Sequence, residues 1–161
     1  MPLDERYRET NQIIYQIDYI PVTHAVHRLG GIVTPASAAY SASEFEHQIR
    51  SSGAQAIFTC VPLLEVALKA SRLTGIPDES IFILPMTGYE SKRPFKSVDD
   101  LVTEGKQLPP ISPLKWDRGR GARQVAYLCY SSGTSGFPVS LRPTSYPMQA
   151  VSADLVDRKQ S

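Results

Sequence analysis

The residues of this chain best suited to chemistry lie together near its C-terminal end, in Tyr130-Ser131-Ser132-Gly133-Thr134-Ser135-Gly136-Phe137-Pro138. Two glycines let the backbone turn with positive φ and approach a ligand closely, and the small hydroxyl residues add donors to the free N–H groups. That combination suits a polyphosphate. A Ser/Gly-rich stretch also serves as a flexible turn, and composition alone leaves both readings open. The loop is not a Walker A motif: no Gly-Lys-Ser or Gly-Lys-Thr closes it, so no lysine follows to reach the terminal phosphates.

Three other groups invite a chemical reading and give a weaker one. His24 and His27 are three apart on a helical pattern, but with no third ligand nearby they read as surface or packed histidines, and no metal site is assigned. Cys60 and Cys129 fall at apolar, strand-like positions and read as small buried hydrophobes in a reducing compartment, neither disulfide nor metal ligands. Lys115, Arg118, Arg120 and Arg123 make the surroundings of Trp116 basic. Without a stacking platform of aromatics that segment reads as a solvated loop rather than an RNA or anion site.

The elements that position the loop follow from pattern. Val125-Ala126-Tyr127-Leu128-Cys129 is an uninterrupted apolar run, as a buried strand of a parallel sheet requires. A loop leaving such a strand lies at its carboxyl end, where open α/β sheets place their ligands. Upstream, the first ten or so residues are polar and expected to fray. Ile17, Ile20, Ala25, Val26 and Leu29 give an apolar stripe with helical spacing, with Pro21 in the first turn, and Gly30-Gly31 stops that helix before a short strand at Ile32-Val33-Thr34. Ser43-Glu44-Phe45-Glu46 reads as a capping box opening a helix that carries Phe45 and Ile49 to the core and ends at Gly53.

Ala56-Ile57-Phe58-Thr59 reads as a second strand. Pro62 then opens a helix through Leu64, Val66, Ala67, Leu68 and Ala70, terminated by Gly75 and Pro77, and Ile81-Phe82-Ile83-Leu84 is a third strand, apolar throughout. The alternation is that of βαβ units, so an α/β fold with a mostly parallel sheet and right-handed crossovers is expected. From Pro85 to Gly121 the chain reads as a long surface connection with one short helix capped at Ser97-Val98-Asp99-Asp100 and ending near Gly105. Pro147 to Val156 has the pattern of a short amphipathic helix or a disordered end.

Tyr130 to Pro138 resembles the phosphate-binding loop of the adenylate-forming superfamily: acyl-CoA synthetases, 4-coumarate–CoA ligases and luciferases. That loop has the pattern Tyr-[Ser/Thr]-Ser-Gly-Thr-[Ser/Thr]-Gly-x-Pro-Lys-Gly. Asp18-Tyr19-Ile20-Pro21 with Ala25-Val26-His27-Arg28-Leu29-Gly30-Gly31-Ile32-Val33-Thr34-Pro35 is similar to the family's segment in which a helix leads to a glycine and a strand. The likeness, to fungal 4-coumarate–CoA-ligase-like members, runs from about Ile17 to Pro138 and covers a minor part of a full member. It implies a partial three-layer fold as in the N-terminal domain of acyl-CoA ligases, with a partial AMP-binding domain over 17–138. Residues 1–16 read as an unrelated extension and 139–161 as a divergent tail.

In the resembled family, Mg-ATP and a carboxylic acid give an acyl-adenylate and pyrophosphate, and the acyl group then passes to coenzyme A. The resemblance implies ATP and Mg as cofactors, with the phosphates held by Ser131, Ser132, Gly133, Thr134, Ser135 and Gly136, Thr134 and Ser135 foremost among the side chains. Val139 stands where the family has a lysine, and Ser140-Leu141-Arg142-Pro143-Thr144 departs from the family's continuation. The family's acid pocket, adenine and ribose contacts, metal-coordinating glutamate and C-terminal catalytic lysine all follow this loop, so no catalytic or metal-ligating residue is carried over. The expectation is a truncated homologue of an acyl-CoA ligase, in the setting of fungal secondary metabolism, not competent alone. The alternative is a non-enzymatic module that binds a full-length ligase or another partner, or self-associates, through an exposed sheet edge.

Bulk properties narrow the remaining classes. A chain of 161 residues suits one domain that buries about 68–70% of its unfolded surface. With 42% hydrophobic and 20% charged residues it is an ordinary globular composition, and a net charge of +1 gives no electrostatic case for nucleic acid or an anionic membrane. The charged start, Asp4-Glu5-Arg6, is unlike a signal peptide, no apolar run is long enough to span a bilayer, and Lys159-Gln160-Ser161 is not a Ser-Lys-Leu peroxisomal address. A cytoplasmic location is the expectation.

Overall fold

A computed structural model describes residues 8–13, 17–89, 95–112, 114–115, 118, 124–131 and 139–141, with 8–13, 131 and 139–141 described by their backbone. The elements run β1 (Arg8–Ile13), α1 (Tyr19–Arg28), β2 (Ile32–Ser37), α2 (Ala42–Ser52), β3 (Ala56–Thr59), α3 (Leu64–Thr74), β4 (Ile81–Ile83), α4 (Val98–Gly105), β5 (Cys129–Ser131) and β6 (Val139–Leu141). Strands β1 to β4 form a sheet in the order β2-β1-β3-β4, parallel at every pairing. Its two borders extend by parallel bridges, Val33 with Tyr127 beside β2 and Ile83 with Ser97 beside β4. The α/β class with a parallel sheet of βαβ units is therefore the architecture observed.

Helices cover both faces of this sheet, and two apolar clusters result. On one face α2 and α3 bring Phe45, Ile49, Leu64, Ala67 and Leu68 onto Ile57, Ile81 and Ile83. On the other, Val22 and Val26 of α1 and Val98 of α4 meet Val33, Phe58 and Leu84, with Phe58 stacked on Phe82 at 5.0 Å between ring centroids. Alternate residues of β3 thus feed opposite cores, as the strand period of two demands. Full burial of one such side chain contributes about 1.5–3 kcal/mol, so this three-layer packing carries most of the stability.

Several local details correct the sequence reading. The N-terminal residues expected to fray include a strand, β1, placed between β2 and β3 in register Thr10 with Thr34 and Ile57. Its sequence, Arg-Glu-Thr-Asn-Gln-Ile, carries no apolar run, so hydrophobic pattern could not announce it; backbone pairing on both sides defines it. In α1 the buried face is Val22, Thr23 and Val26, whereas Ile17 is 85% exposed and Ile20 and Leu29 are also exposed. The helix begins at Tyr19, which leaves Ile17 in the preceding turn and puts positions 22 and 26 one turn apart on the inner face. Pro21 does lie in the first turn.

The capping box of α2 is Ser41 with Glu44, two residues before the pair expected: Ser41 Oγ accepts from the Glu44 N–H and the Glu44 carboxylate accepts from the Ser41 N–H. Both serines have a glutamate three residues on, so spacing alone cannot choose between them. Glu46 is taken up by Arg50 at 2.9 Å. The remaining signals hold: Gly53 and Gly75 end α2 and α3 at φ 66° and 80°, and Ser97 with Asp100 boxes α4.

Candidate functional site

The candidate loop begins at Ser131, the last residue of β5, which pairs antiparallel with Val139 of β6. Ser132, Gly133, Thr134, Ser135 and Gly136 lie outside the described residues, as does the expected helix at 147–156. The hairpin that mounts the loop is described, with Cys129 opposite Leu141 and Tyr130 opposite Ser140. Val139, which stands where the resembled family has a cation, is the residue that returns the chain into this hairpin. Sequence reading missed the return strand because three residues, Val-Ser-Leu, carry too little periodicity to register.

The way the hairpin joins the scaffold follows from Val33 and Pro35. Residues two apart in a strand turn their backbone groups toward the same neighbour. Val33 uses that side fully: its N–H donates to the Ala126 carbonyl at 3.0 Å and its carbonyl accepts from the Leu128 N–H at 2.9 Å. Pro35 has no N–H to continue the ladder, and its carbonyl accepts instead from Gln48 Nε2 at 3.0 Å. Among the described residues the parallel pairing beside β2 is therefore one bridge long, and from Cys129 onward the chain pairs with β6. The apolar run at 125–129 is thus a parallel sheet segment up to Leu128 and a hairpin arm beyond it.

Side chains from both helical layers meet this segment. His27 of α1 places Nε2 3.0 Å from the Ala126 carbonyl and its ring edge-on to Tyr127, with centroids 4.9 Å apart at 88°. Because a carbonyl only accepts, that nitrogen must carry the proton. Burial lowers the pKa of His27, with the Ala126 bond opposing and His24 assisting. From α2, Ser51 Oγ lies 2.8 Å from the Tyr130 hydroxyl. Tyr130 itself rests on Ile32, Val125 and Leu128.

The other candidate groups fall elsewhere. Burial pushes the thiols of Cys60 and Cys129 up, so neither is a poised nucleophile, and both are free. Lys115 and Arg118 are exposed; Trp116, Arg120 and Arg123 lie outside the described residues. Among the described residues no helix is long and apolar enough to cross a membrane. A groove of about 550 Å³, lined by residues including Asp78, Phe82, Phe95 and Lys96, flanks β4.

The described residues form a parallel sheet between helices, with the hairpin β5–β6 following the segment that borders β2. The profile of the AMP-binding enzyme family matches residues 16–138, and the chain belongs to that family. It is 41% identical over 143 residues to the acyl-CoA ligase AFT1-1 of Alternaria alternata, covering 87% of this chain and 24% of that protein. Against the acyl-CoA ligase cm3C of Cordyceps militaris the identity is 36%, covering 77% of this chain and 21% of the relative. The chain therefore spans about a quarter of the length of these relatives. Among solved structures, the anthranilate CoA ligase AuaEII bound to anthranoyl-AMP superposes with a TM-score of 0.70 at 16% identity, covering 86% of this chain and 25% of that one. A red-emitting luciferase of Phrixothrix hirtus gives 0.71 at 17%, covering 88% and 34%.

Proposed function

We propose that this chain carries the ATP-phosphate-binding part of a fungal-type acyl-CoA ligase, the enzyme class that forms an acyl-adenylate and then a CoA thioester, and that alone it binds nucleotide without turning it over. The observation that carries the reading is the loop itself. It is a Ser/Thr/Gly loop closing a hairpin that continues directly from a sheet segment, within a chain whose family match ends at its last residue, Pro138. In this reading the backbone N–H groups and hydroxyls of Ser131, Ser132, Gly133, Thr134, Ser135 and Gly136 hold the phosphates, with magnesium arriving on the nucleotide. Adenylation needs an acid, a nucleotide and charge stabilisation positioned by several segments at once.

Calorimetric titration with MgATP, beside ATP–pyrophosphate exchange over aromatic, medium-chain and polyketide-like acids, tests this. The expected result is MgATP binding that weakens about tenfold or more in Thr134→Ala/Ser135→Ala, since hydrogen bonds to charged groups contribute about 1.5–3 kcal/mol each, with no exchange for any acid. Exchange with any acid would overturn the binding-only reading, and absence of MgATP binding would overturn the phosphate assignment.

A second, non-enzymatic reading has its own observation. Leu29, Leu108, Ile111 and Leu114 are all exposed, and the connection that holds three of them is drawn to the end of α1, where Arg28 Nη2 donates to the Ile111 carbonyl at 3.1 Å. Apolar residues gathered this way favour a docking surface for a full-length ligase or a second copy. Light scattering of the chain with and without a full-length fungal acyl-CoA ligase distinguishes the two: a complex dissolved by Leu108→Lys/Ile111→Lys supports docking, and a monomer in both mixtures rejects it.

A further inference from the structure

From Val102 to Lys115 every described residue is exposed. Within that stretch Leu108-Pro109-Pro110-Ile111-Ser112-Pro113-Leu114-Lys115 follows the turn that ends α4, where the Leu108 N–H donates to the Gly105 carbonyl at 3.1 Å. Its backbone is narrowed before any partner arrives. Proline fixes its own φ, and Leu108, Pro109 and Ser112, each followed by a proline, are pushed out of the helical region toward extended forms. The extended form these limits favour is polyproline II, with three residues per turn.

In that form positions 108, 111 and 114 share one ridge, and it is this ridge that the scaffold holds. Arg28 Nη2 donates to the Ile111 carbonyl at 3.1 Å, and Leu114 lies over Gly30, where an added Cβ would stand 3.6 Å from Leu114 Cδ1. The other two ridges carry Pro109, Pro110, Ser112 and Lys115, all exposed. Pro113 lies outside the described residues and enters by the sequence alone: Pro110-Ile111-Ser112-Pro113-Leu114-Lys115 is Pro-x-x-Pro with a cation two residues on. A segment stiffened by proline and tied to α1 has little freedom left to lose on binding.

We propose that Pro109 to Lys115 is a polyproline ligand for a small protein module of the SH3 type, whose aromatic-lined groove takes the proline ridges and whose acidic end takes Lys115. The prolines fit such a groove, and the charge of Lys115 sets the direction in which the segment lies. This goes beyond the docking reading above, which rests on Leu108, Ile111 and Leu114.

The test titrates the full chain into a panel of purified SH3 domains that select Pro-x-x-Pro-x-Lys or Pro-x-x-Pro-x-Arg, reading the fluorescence of the groove tryptophan. At least one domain should bind. Pro110→Ala should weaken that binding about tenfold or more. Lys115→Glu should weaken it at low salt and less at high salt, whereas Leu108→Lys should leave it within about twofold. No binding across the panel overturns the inference. Binding that survives Pro110→Ala and Lys115→Glu, or is lost only in Leu108→Lys, overturns it as well. A chain that ignores every SH3 domain yet associates with a full-length ligase or with itself rejects this partner and leaves the docking reading standing.

Discussion

Gln48 Nε2 donates to Thr34 Oγ1 at 2.7 Å, with Gln48 fully buried and Thr34 only 1% exposed. The same nitrogen donates to the Pro35 carbonyl, while Gln48 Oε1 has no hydrogen-bond partner. One buried amide therefore satisfies two groups of β2 and leaves one of its own unmet. Replacing Gln48 by Met removes both donors from a site that water does not reach, and should cost about 1–3 kcal/mol in urea denaturation. Combining it with Thr34→Val should recover part of that loss, because the stranded hydroxyl goes too. A double-mutant cycle with no coupling between the two positions would contradict this account.

Two glycines should respond to alanine in opposite directions. Gly75 ends α3 at φ +80°, so Gly75→Ala should lose about 1–2 kcal/mol through the left-handed backbone even though nothing crowds the added carbon. Gly105 lies in the last turn of α4 with open space around it, and Gly105→Ala should gain up to about 1 kcal/mol. Thermal melts of the two single variants check the signs.

The helix caps carry an acid-dependent share of stability. Hydrogen bonds from Ser41 hold the Glu44 carboxyl below its usual value of 4.5, and those from Ser97 hold Asp100 below 3.8. A carboxyl lowered in the folded state favours folding above its unfolded pKa and gives that stability up as pH falls through the folded value. The loss should therefore begin near pH 4.5 and continue below it, and it should shrink in Ser41→Ala and Ser97→Ala. Stability curves from pH 6 down to pH 2 are the measurement. At neutral pH each serine replacement should itself cost about 1 kcal/mol.

His27 shifts stability in a different window. Burial lowers its pKa below 6.5, so the unfolded chain takes up its proton first and the folded state is penalised as pH drops through 6.5 toward the folded value. Stability measured between pH 7.5 and pH 5 should fall more steeply for the wild type than for His27→Gln, which has no proton to gain. Parallel curves would remove His27 as the source.

Much of this fold is written locally in the sequence. Strand β3 and strand β4 are runs of apolar residues bounded by turn signals, and the helices before them stop where glycine permits a left-handed residue, so periodicity and punctuation suffice. What pattern misses depends on partners far away in the chain. Strand β1 is polar and is defined by β2 and β3 on either side. The inner face of α1 is chosen by where the helix starts, and β6 by its register with β5. At the candidate site, the hydroxyl and glycine content of the loop was legible, whereas His27 looked like an unremarkable histidine because its partner lies 99 residues on.

Pro35 has a consequence for how the molecule comes apart. Among the described residues the ladder beside β2 is one bridge long, and the β5–β6 hairpin is joined to the sheet by that bridge and by the packing of Val125, Leu128 and Tyr130 on Ile32. Opening of the hairpin need not await melting of the sheet, so the β5–β6 arm should exchange its amides from a low-energy excursion that leaves α2 and α3 closed. Ligand occupancy at the loop would then be read most sensitively as a slowing of that excursion, with the global transition scarcely displaced.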